Sequence, residues 1–279
     1  MMKLKSIETG NFKLDGGAIF GVVPKSLWNK VYPADENNMI NLSMRSLLID
    51  DGKNKILIDN GLGTKLDPKF ASYYFLNGDD SLEKSLKNAG YQFEDITDVI
   101  ITHLHFDHCG GSVLNKNGRL LPAFPNAVYH ISRAQWKTAN NPNQREKASF
   151  LKENFLPLYD SGQINFIDDN IEILPNIEIR LFNGHTEGLI VPFIKYNNKT
   201  IVYITDLIPT VANLPLSWIT AYDIYPLVAM HEKELLLKEA VERNYILFFE
   251  HDIYNEACTL TNTPKGIRME KVFHLNEIL

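Results

Sequence analysis

Apolar residues along the chain fall into short runs of strand length that are bounded by turn residues, with longer amphipathic segments between them. The runs predict strands over residues 46–49, 55–58, 98–102, 127–131, 177–182, 200–205 and 245–249. Residues 81–89 repeat Leu82 and Leu86 four positions apart before Gly90, which predicts a helix that ends at this glycine. Two further amphipathic helices are predicted over residues 147–159 and 231–243. This alternation predicts an α/β fold with sheets flanked by helices.

Five of these predicted strands are followed within three residues by a carboxylate or an imidazole. The residues are Asp59, His103, His185, Asp206 and His251. Ligand sites in α/β sheets gather at strand ends, where loops converge. The pattern therefore predicts that the functional site is built from these loops.

The strongest local motif is a six-residue segment with four potential metal ligands. They are His103, His105, Asp107 and His108. The following Gly110 and Gly111 allow another backbone segment to pass close by without meeting a Cβ atom. Imidazole nitrogens and carboxylate oxygens suit zinc, with iron, manganese or cobalt as alternatives. Because the only nearby thiol is that of Cys109, the motif indicates a catalytic metal site rather than a closed structural one.

In this order, the motifs resemble the metallo-β-lactamase superfamily. The matching positions are Asp59 in Ile-Asp-Asn-Gly, the segment 103–108, His185 in Gly-His-Thr, Asp206 in Ile-Thr-Asp and His251 in Phe-Glu-His. The resemblance covers nearly the whole chain. It implies a four-layered αβ/βα sandwich, and we expect a single domain over residues 1–279.

The resemblance also implies a division of the metal ligands between two ions. One ion would be held by His103, His105 and His185, and the second by Asp107, His108 and His251. Asp206 would bridge the two ions, and Asp59 would position the ligand loop from behind. We expect two zinc ions that make hydroxide available near neutral pH. Asp107 and Asp206 would be the catalytic carboxylates, with Asp107 passing a proton to the leaving group.

Within the superfamily, residues 14–24, 206–210 and 218–223 resemble the quorum-quenching lactonase-like branch, which includes N-acyl-homoserine lactonases. Two positions depart from that pattern. Leu189 replaces the second histidine of Gly-His-Thr-x-Gly-His, and Pro209 stands where the best-studied lactonases carry a tyrosine. The expected substrate is a lactone or another carboxylic ester. We expect the substrate pocket to include Phe20, Trp28, Phe106 and Tyr222.

Other activities share this scaffold. A β-lactamase is disfavoured because the lactamases lack the bridging aspartate, and a flavo-diiron oxygen reductase would have a glutamate in place of His105. An organophosphate hydrolase and a glyoxalase-type thioesterase stay open as alternatives. Outside enzymes, the alternative is a binding protein with a vestigial metal site.

Composition and charge limit the kinds of partner and the cellular environment that we expect. The net charge is −6, from 28 basic and 34 acidic residues, and no basic cluster stands out, which disfavours a nucleic-acid surface. Cys109 and Cys258 are too few for a disulfide framework. The first residues lack a signal-peptide pattern, and no apolar run approaches the length that crosses a bilayer. We expect a cytoplasmic protein without membrane contact, and a homodimer is an expectation from the resemblance alone.

Overall fold

The computed structural model describes residues 2–278, which divide into two compact units. The first unit comprises residues 2–11 and 43–169, and the second comprises residues 12–42 and 170–278. Within the described residues, no helix is both long enough and apolar enough to cross a membrane. The expectation of a single domain stays a prediction.

The strands and helices within residues 2–278 are numbered in chain order. The strands are β1 (Lys3–Asp15), β2 (Met39–Asp50), β3 (Lys55–Ile58), β4 (Asp98–Ile100), β5 (Val113–Lys116), β6 (Arg119–Pro122), β7 (Val128–Ser132), β8 (Ile164–Ile167), β9 (Ile171–Leu174), β10 (Ile177–Phe182), β11 (Leu189–Tyr196), β12 (Lys199–Tyr203), β13 (Ile246–Phe248), β14 (Ala257–Thr263) and β15 (Gly266–Phe273). The helices are α1 (Gly16–Phe20), α2 (Lys25–Trp28), α3 (Pro68–Ser72), α4 (Leu82–Ala89), α5 (Phe106–Cys109), α6 (Arg133–Asn140), α7 (Leu156–Asp160), α8 (Pro226–Glu242) and α9 (Leu275–Ile278).

The core of the first unit forms on a mixed sheet with strand order β1-β2-β3-β4-β7-β8. Strands β3, β4, β7 and β8 pair in parallel, whereas β2 pairs with β3 in antiparallel fashion. Leu57, Val99 and Ile131 of these strands pack in one buried cluster with Leu86 of α4 and Ala139 of α6. Burial of this apolar surface stabilises the strand ends from which the ligand loops leave.

The second unit contains a sheet with strand order β15-β14-β13-β12-β11-β10-β9. Only β12 and β13 pair in parallel among the registers of this sheet described for residues 171–273. Leu236 and Leu237 of α8 pack in one buried cluster with Val202 of β12 and Leu247 of β13. The parallel pair therefore ends at one edge, immediately before Asp206 and His251.

The predicted strands are confirmed: each of the seven predicted runs overlaps an observed strand, and β3 and β10 agree at both ends. Helix α4 is also confirmed. The hydroxyl of Ser81 accepts a hydrogen bond from the amide of Lys84, and Gly90 adopts a left-handed φ of 91° after the last turn. The predicted helix over residues 231–243 corresponds to the C-terminal part of α8.

The predicted helix over residues 147–159 is wrong. This segment contains two 3-10 turns, Lys147–Ser149 and Lys152–Asn154, followed by the five-residue helix α7. Leu151 between the turns is extended, with φ −97° and ψ 105°. Pro157 has no amide hydrogen and is tolerated only in the first turn of a helix, so a helix cannot run through it from residue 147.

Candidate metal centre

The first unit gathers five predicted site residues around the loop that joins β4 to α5. We call them the first cluster. They are Asp59, His103, His105, Asp107 and His108, all of them buried. The ring centroid of His103 lies 4.4 Å from that of His105 and 3.9 Å from that of His108. The structure therefore brings the short motif together with Asp59 from the end of β3.

The Asp59 carboxylate accepts hydrogen bonds that orient two imidazoles, that of His108 directly and that of His103 through Thr102. The Asp59 carboxylate accepts from the Thr102 amide at 2.8 Å and from the Thr102 hydroxyl at 2.6 Å, and it lies 3.1 Å from Nδ1 of His108. Since the Thr102 hydroxyl donates to Asp59, its oxygen accepts from Nδ1 of His103, at 3.1 Å. Both rings then carry their proton on Nδ1 and present the Nε2 lone pair, the form in which histidine binds a metal.

The backbone around this loop is tightly packed. A Cβ atom on Gly110 would lie 2.2 Å from the carbonyl oxygen of Leu62, and one on Gly111 would lie 2.3 Å from that of Asn60. The predicted close passage of another segment at these two glycines is confirmed. Asp59 itself has a φ of 54°, a conformation that is uncommon outside glycine. Strain of this kind clusters at functional sites, where the surrounding structure maintains it.

His105 and Phe106 face different neighbours. Nε2 of His105 lies 3.8 Å from the buried carboxylate of Glu146, a residue that the sequence motifs did not single out. Phe106 packs edge-on against Phe70 and at a tilt against Tyr74, with ring centroids 5.2 Å and 4.7 Å apart. An aromatic cluster therefore adjoins Asp107 in the first unit.

The second unit gathers the other three predicted ligands, which we call the second cluster: His185, Asp206 and His251. One carboxylate oxygen of Asp206 lies 3.2 Å from Nε2 of His185, and the other lies 3.0 Å from Nε2 of His251. A single carboxylate thus contacts two imidazoles through its two oxygens.

Asp223 holds the far side of the His185 ring. Its carboxylate lies 2.9 Å from Nδ1 of His185 and also accepts from the hydroxyl and amide of Thr220. Burial alone would lower the pKa of His185, but the neighbouring Asp206 and Asp223 raise it to about 10 in the metal-free chain. Nδ1 faces Asp223 and Nε2 faces Asp206, so Nε2 is the nitrogen directed toward the candidate ligands.

The loop before His185 is anchored to α8. Glu232 accepts hydrogen bonds from the amides of Asn183 and Gly184 at 2.8 and 2.9 Å. A Cβ atom on Gly184 would lie 2.2 Å from Cα of Ala229, so no larger residue fits without a backbone shift. The helix therefore sets the position from which the histidine projects.

Two short turns place Asp206 and His251. Thr205, which precedes Asp206 in a 3-10 turn, has a φ of 46°, an unfavourable value for a β-branched residue. After His251, the buried Asp252 accepts hydrogen bonds from the amides of Val211 and Tyr254, each at 2.8 Å. The contacts of Asp252 fix the turn after His251, and the apolar pattern of the strands does not predict them.

The donor set of both clusters fits transition-metal ions. All seven predicted ligands are among the histidine and acidic side chains that could hold a metal ion. Nδ1 faces a carboxylate in His108 and His185 and a hydroxyl in His103, the outer contacts that orient metal-bound imidazoles. The thiol of Cys109 donates to the carbonyl of Leu104, and burial raises its pKa to about 12, so it is held as a neutral thiol. Imidazole and carboxylate ligands favour zinc and also suit iron, manganese and cobalt.

Among the predicted pocket residues, Phe20 and Trp28 are buried and stack with ring centroids 5.1 Å apart. Phe106 is buried in the first unit, and Tyr222 is 40% exposed. Their contact with substrate stays a prediction.

Sequence reasoning missed Asp223, Glu146 and Thr102 as supports of the ligands. Asp223 and Glu146 contact histidines that are distant in the sequence, and Thr102 is a residue type too common to indicate a site. The nearest available signal was the Thr220-x-x-Asp223 spacing, which is typical of a side-chain-capped turn.

The chain belongs to the metallo-β-lactamase superfamily, whose family model matches residues 45–251. The mixed sheets with flanking helices fit this superfamily, and the prediction of an α/β fold of the metallo-β-lactamase type is confirmed. The superfamily and the relatives below confirm the prediction of a metal-dependent hydrolase.

Among its relatives, an N-acyl homoserine lactonase of Bacillus cereus is 29% identical over 236 residues, which cover 78% of this chain and 85% of the relative. A crystal structure of a probable metal-dependent hydrolase from Staphylococcus aureus superposes with a TM-score of 0.89 and 29% identity over 98% of both chains. AidC, described as a dizinc quorum-quenching lactonase in complex with its product, has the same fold, with a TM-score of 0.81 and 22% identity over 99% of this chain and 96% of AidC.

Proposed function

We propose that this protein is a binuclear metal-dependent hydrolase of lactones or other carboxylic esters, whose ligands come from both clusters. His103, His105 and His185 would hold one ion, and Asp107, His108 and His251 the other, with Asp206 between them. Zinc is the metal we propose, on the chemistry of the donors. Seven ligands exceed the three protein ligands that a single catalytic zinc ordinarily takes, which supports two ions.

The observation that carries the proposal is the position of Asp206. Its two oxygens are directed to two different imidazoles, at 3.2 and 3.0 Å. A carboxylate that only formed a buried ion pair with one histidine would have no need of the second. Asp223 on the outer side of His185 supports the same conclusion, because it orients that ring as a ligand.

When bound, two divalent cations would supply a Lewis acid for the ester carbonyl and a water acidic enough to yield hydroxide near pH 7. Asp206 would keep the two histidines of the second cluster in place and add negative charge beside them. Asp107, buried in the first cluster with Oδ2 3.8 Å from Nε2 of His108, would receive a proton and pass it to the leaving alkoxide. Asp59 and Thr102 would hold His103 and His108 in the tautomer that binds.

Relatives named as N-acyl homoserine lactonases favour a lactone as substrate. The buried Pro209 has neither a hydroxyl nor an amide hydrogen with which to bind a substrate carbonyl. Tyr222, one residue before Asp223 and 40% exposed, is the side chain we propose for that hydrogen bond. Complete loss of one preorganised donor costs on the order of 10²–10³ in rate. Because Tyr222 would donate from another segment than the tyrosine it replaces, we expect lactonase activity below that of a dedicated enzyme.

The decisive experiment is a hydrolysis screen of the metal-loaded protein against acyl lactones, linear esters, thioesters and phosphotriesters. The control is the Asp206→Asn variant, prepared and loaded identically. We expect lactone or ester turnover that requires added metal and that the control lacks. Turnover of phosphotriesters or thioesters with every lactone untouched would replace the substrate class, and metal-loaded protein inert to all four would favour a vestigial site. Absence of nucleic-acid binding, a homodimer and a cytoplasmic location stay predictions.

A further inference from the structure

The second unit contains a cavity of about 570 Å³ whose lining residues belong to neither ligand cluster. Three segments form it: residues 214–218, helix α8 and the hairpin of β14 and β15. This volume lies within the range of about 300–1,000 Å³ that is typical of small-molecule sites.

One part of the lining is apolar. It includes Leu214, Trp218, Met230, Leu237 and Ile267. Leu214 and Leu237 are almost fully buried, at 2% and 3% exposure, so they form a fixed floor rather than a mobile rim. A floor of this kind favours an alkyl chain or another apolar body, because burial removes its surface from water.

The charged side chains of the lining are mainly cationic. They include Lys238, Lys265 and Arg268 against one carboxylate, that of Glu234. Glu234 is engaged by Lys238 at 2.6 Å, whereas Arg268 donates to the backbone carbonyl of Ile267 at 2.7 Å. No carboxylate of residues 2–278 forms an ion pair with Lys265 or Arg268. The exposed Lys265 and the half-buried Arg268 thus offer two cations at the rim of an apolar cavity in a chain of net charge −6.

A buried lysine builds the wall of this cavity. The Lys233 ammonium donates to the backbone carbonyls of Asn213, Pro215 at 2.8 Å and Trp218 at 3.1 Å, which ties the 213–218 segment to α8. Burial lowers the pKa of Lys233 to about 7; nearby Asp223 opposes that change, and Arg268 contributes to it. These bonds fix the 213–218 wall of the cavity to α8.

We propose that this cavity is a binding site for an amphipathic monoanion, namely a carboxylate that carries an alkyl chain of medium length. The carboxylate would accept paired hydrogen bonds from the Arg268 guanidinium and an ion pair from Lys265. The chain would lie on Leu214, Leu237 and the Trp218 ring. The site is independent of the proposed metal chemistry, because none of its residues is a candidate ligand.

The test is calorimetric titration of the full-length, metal-loaded protein with octanoate, and with octan-1-ol as the uncharged probe of equal chain length. The double variant Lys265→Gln/Arg268→Gln removes both cations, and Lys271→Gln on the same strand is the matched control. We expect octanoate to bind the double variant at least about tenfold more weakly, since bonds to charged groups contribute that much. Lys271→Gln should bind as the unchanged protein does, and octan-1-ol at least about tenfold more weakly than octanoate.

A second variant tests the site without removing either cation, in case the double variant does not fold. Ser217→Glu keeps both cations and places a carboxylate at an exposed position of the rim, so it should weaken octanoate binding and leave ester turnover unchanged. Octanoate held only by metal would bind all variants equally. Equal binding by all variants, or equal affinity for octanoate and octan-1-ol, would overturn the proposal.

Discussion

The two ligand clusters are assembled in opposite ways. In the first cluster, four ligands lie within residues 103–108, and Asp59 reaches them from the neighbouring strand β3. In the second, His185, Asp206 and His251 follow three different strands that lie up to three positions apart in the sheet order. One cluster depends on a local turn, and the other depends on the register of a whole sheet.

The supports of the two clusters differ in the same sense. The first cluster rests on backbone proximity, because Gly110 and Gly111 lie against residues 60–62, with Asp59 in a left-handed conformation. The second rests on two carboxylates supplied by distant segments, the buried Asp223 behind His185 and the half-buried Glu232 beneath its loop. A local motif can be held by glycine, whereas ligands that are distant in sequence need side chains that reach across the fold.

The largest expected effect is loss of the metal. If both clusters contribute ligands, the loaded protein should contain two ions per chain. A chelator that removes both should abolish hydrolysis, because the proposed nucleophile is a metal-bound water. Elemental analysis together with turnover of the best ester from the screen checks this. Saturation at one ion per chain, with no gain in activity on further titration, would break the pairing of the two clusters.

The next effect separates the aspartates of the two clusters. Asp206→Asn keeps the size of the side chain but removes the charge between two imidazoles, so metal affinity and kcat/KM should fall together by more than about 100-fold. Asp59→Asn alters the support of His108 and, through Thr102, that of His103, and it should cost about 10–100-fold. Metal content after gel filtration and steady-state kinetics measure both variants. If Asp59→Asn strips the metals while Asp206→Asn is harmless, their assigned roles are reversed.

This contrast also explains what could be predicted from the sequence. The apolar runs were sufficient to place β3, β4, β10, β12 and β13, because burial of a strand imposes its pattern directly on the residues. The candidate ligands could be singled out by their position after those strands and by the spacing in residues 103–108, and their role as ligands stays a prediction. Asp223 and Glu146 were not, because their partners lie 38 and 41 residues away in the chain and no periodicity links them.

The remaining misses have similar causes. Strand β1, 13 residues long, carries only three buried positions, so its apolar pattern is too sparse to identify it. The segment 147–159 shows the converse error: its apolar spacing suits a helix, and Pro157 overrides that spacing. Local pattern therefore predicts elements that are buried along their length and fails where tertiary contacts or a single proline decide.

A moderate effect is expected at the carboxylate behind His185. Asp223→Asn should lower metal affinity about 10–100-fold, because the amide no longer stabilises the ring orientation with a charge. The control is Thr220→Ser, which keeps the hydroxyl that donates to Asp223 and should retain metal as the unchanged protein does. Competition with a chromogenic chelator gives the affinities. Unchanged metal affinity in Asp223→Asn would show that the second cluster does not depend on the charge of Asp223.

The smallest effect concerns which unit supplies the apolar wall for an acyl chain. The second unit offers Phe20, stacked on Trp28, and the first offers Phe106, packed against Phe70 and Tyr74. Each methylene that becomes buried contributes about 0.8 kcal/mol, so log kcat/KM should rise with acyl length. Phe20→Leu and Phe106→Leu each remove one ring while keeping an apolar side chain. The variant of the residue that lines the pocket should flatten the rise across a series of acyl lactones, and the other should leave the slope unchanged. If both variants kept the slope of the unchanged protein, neither ring would line the acyl chain, and other side chains would have to make that contact.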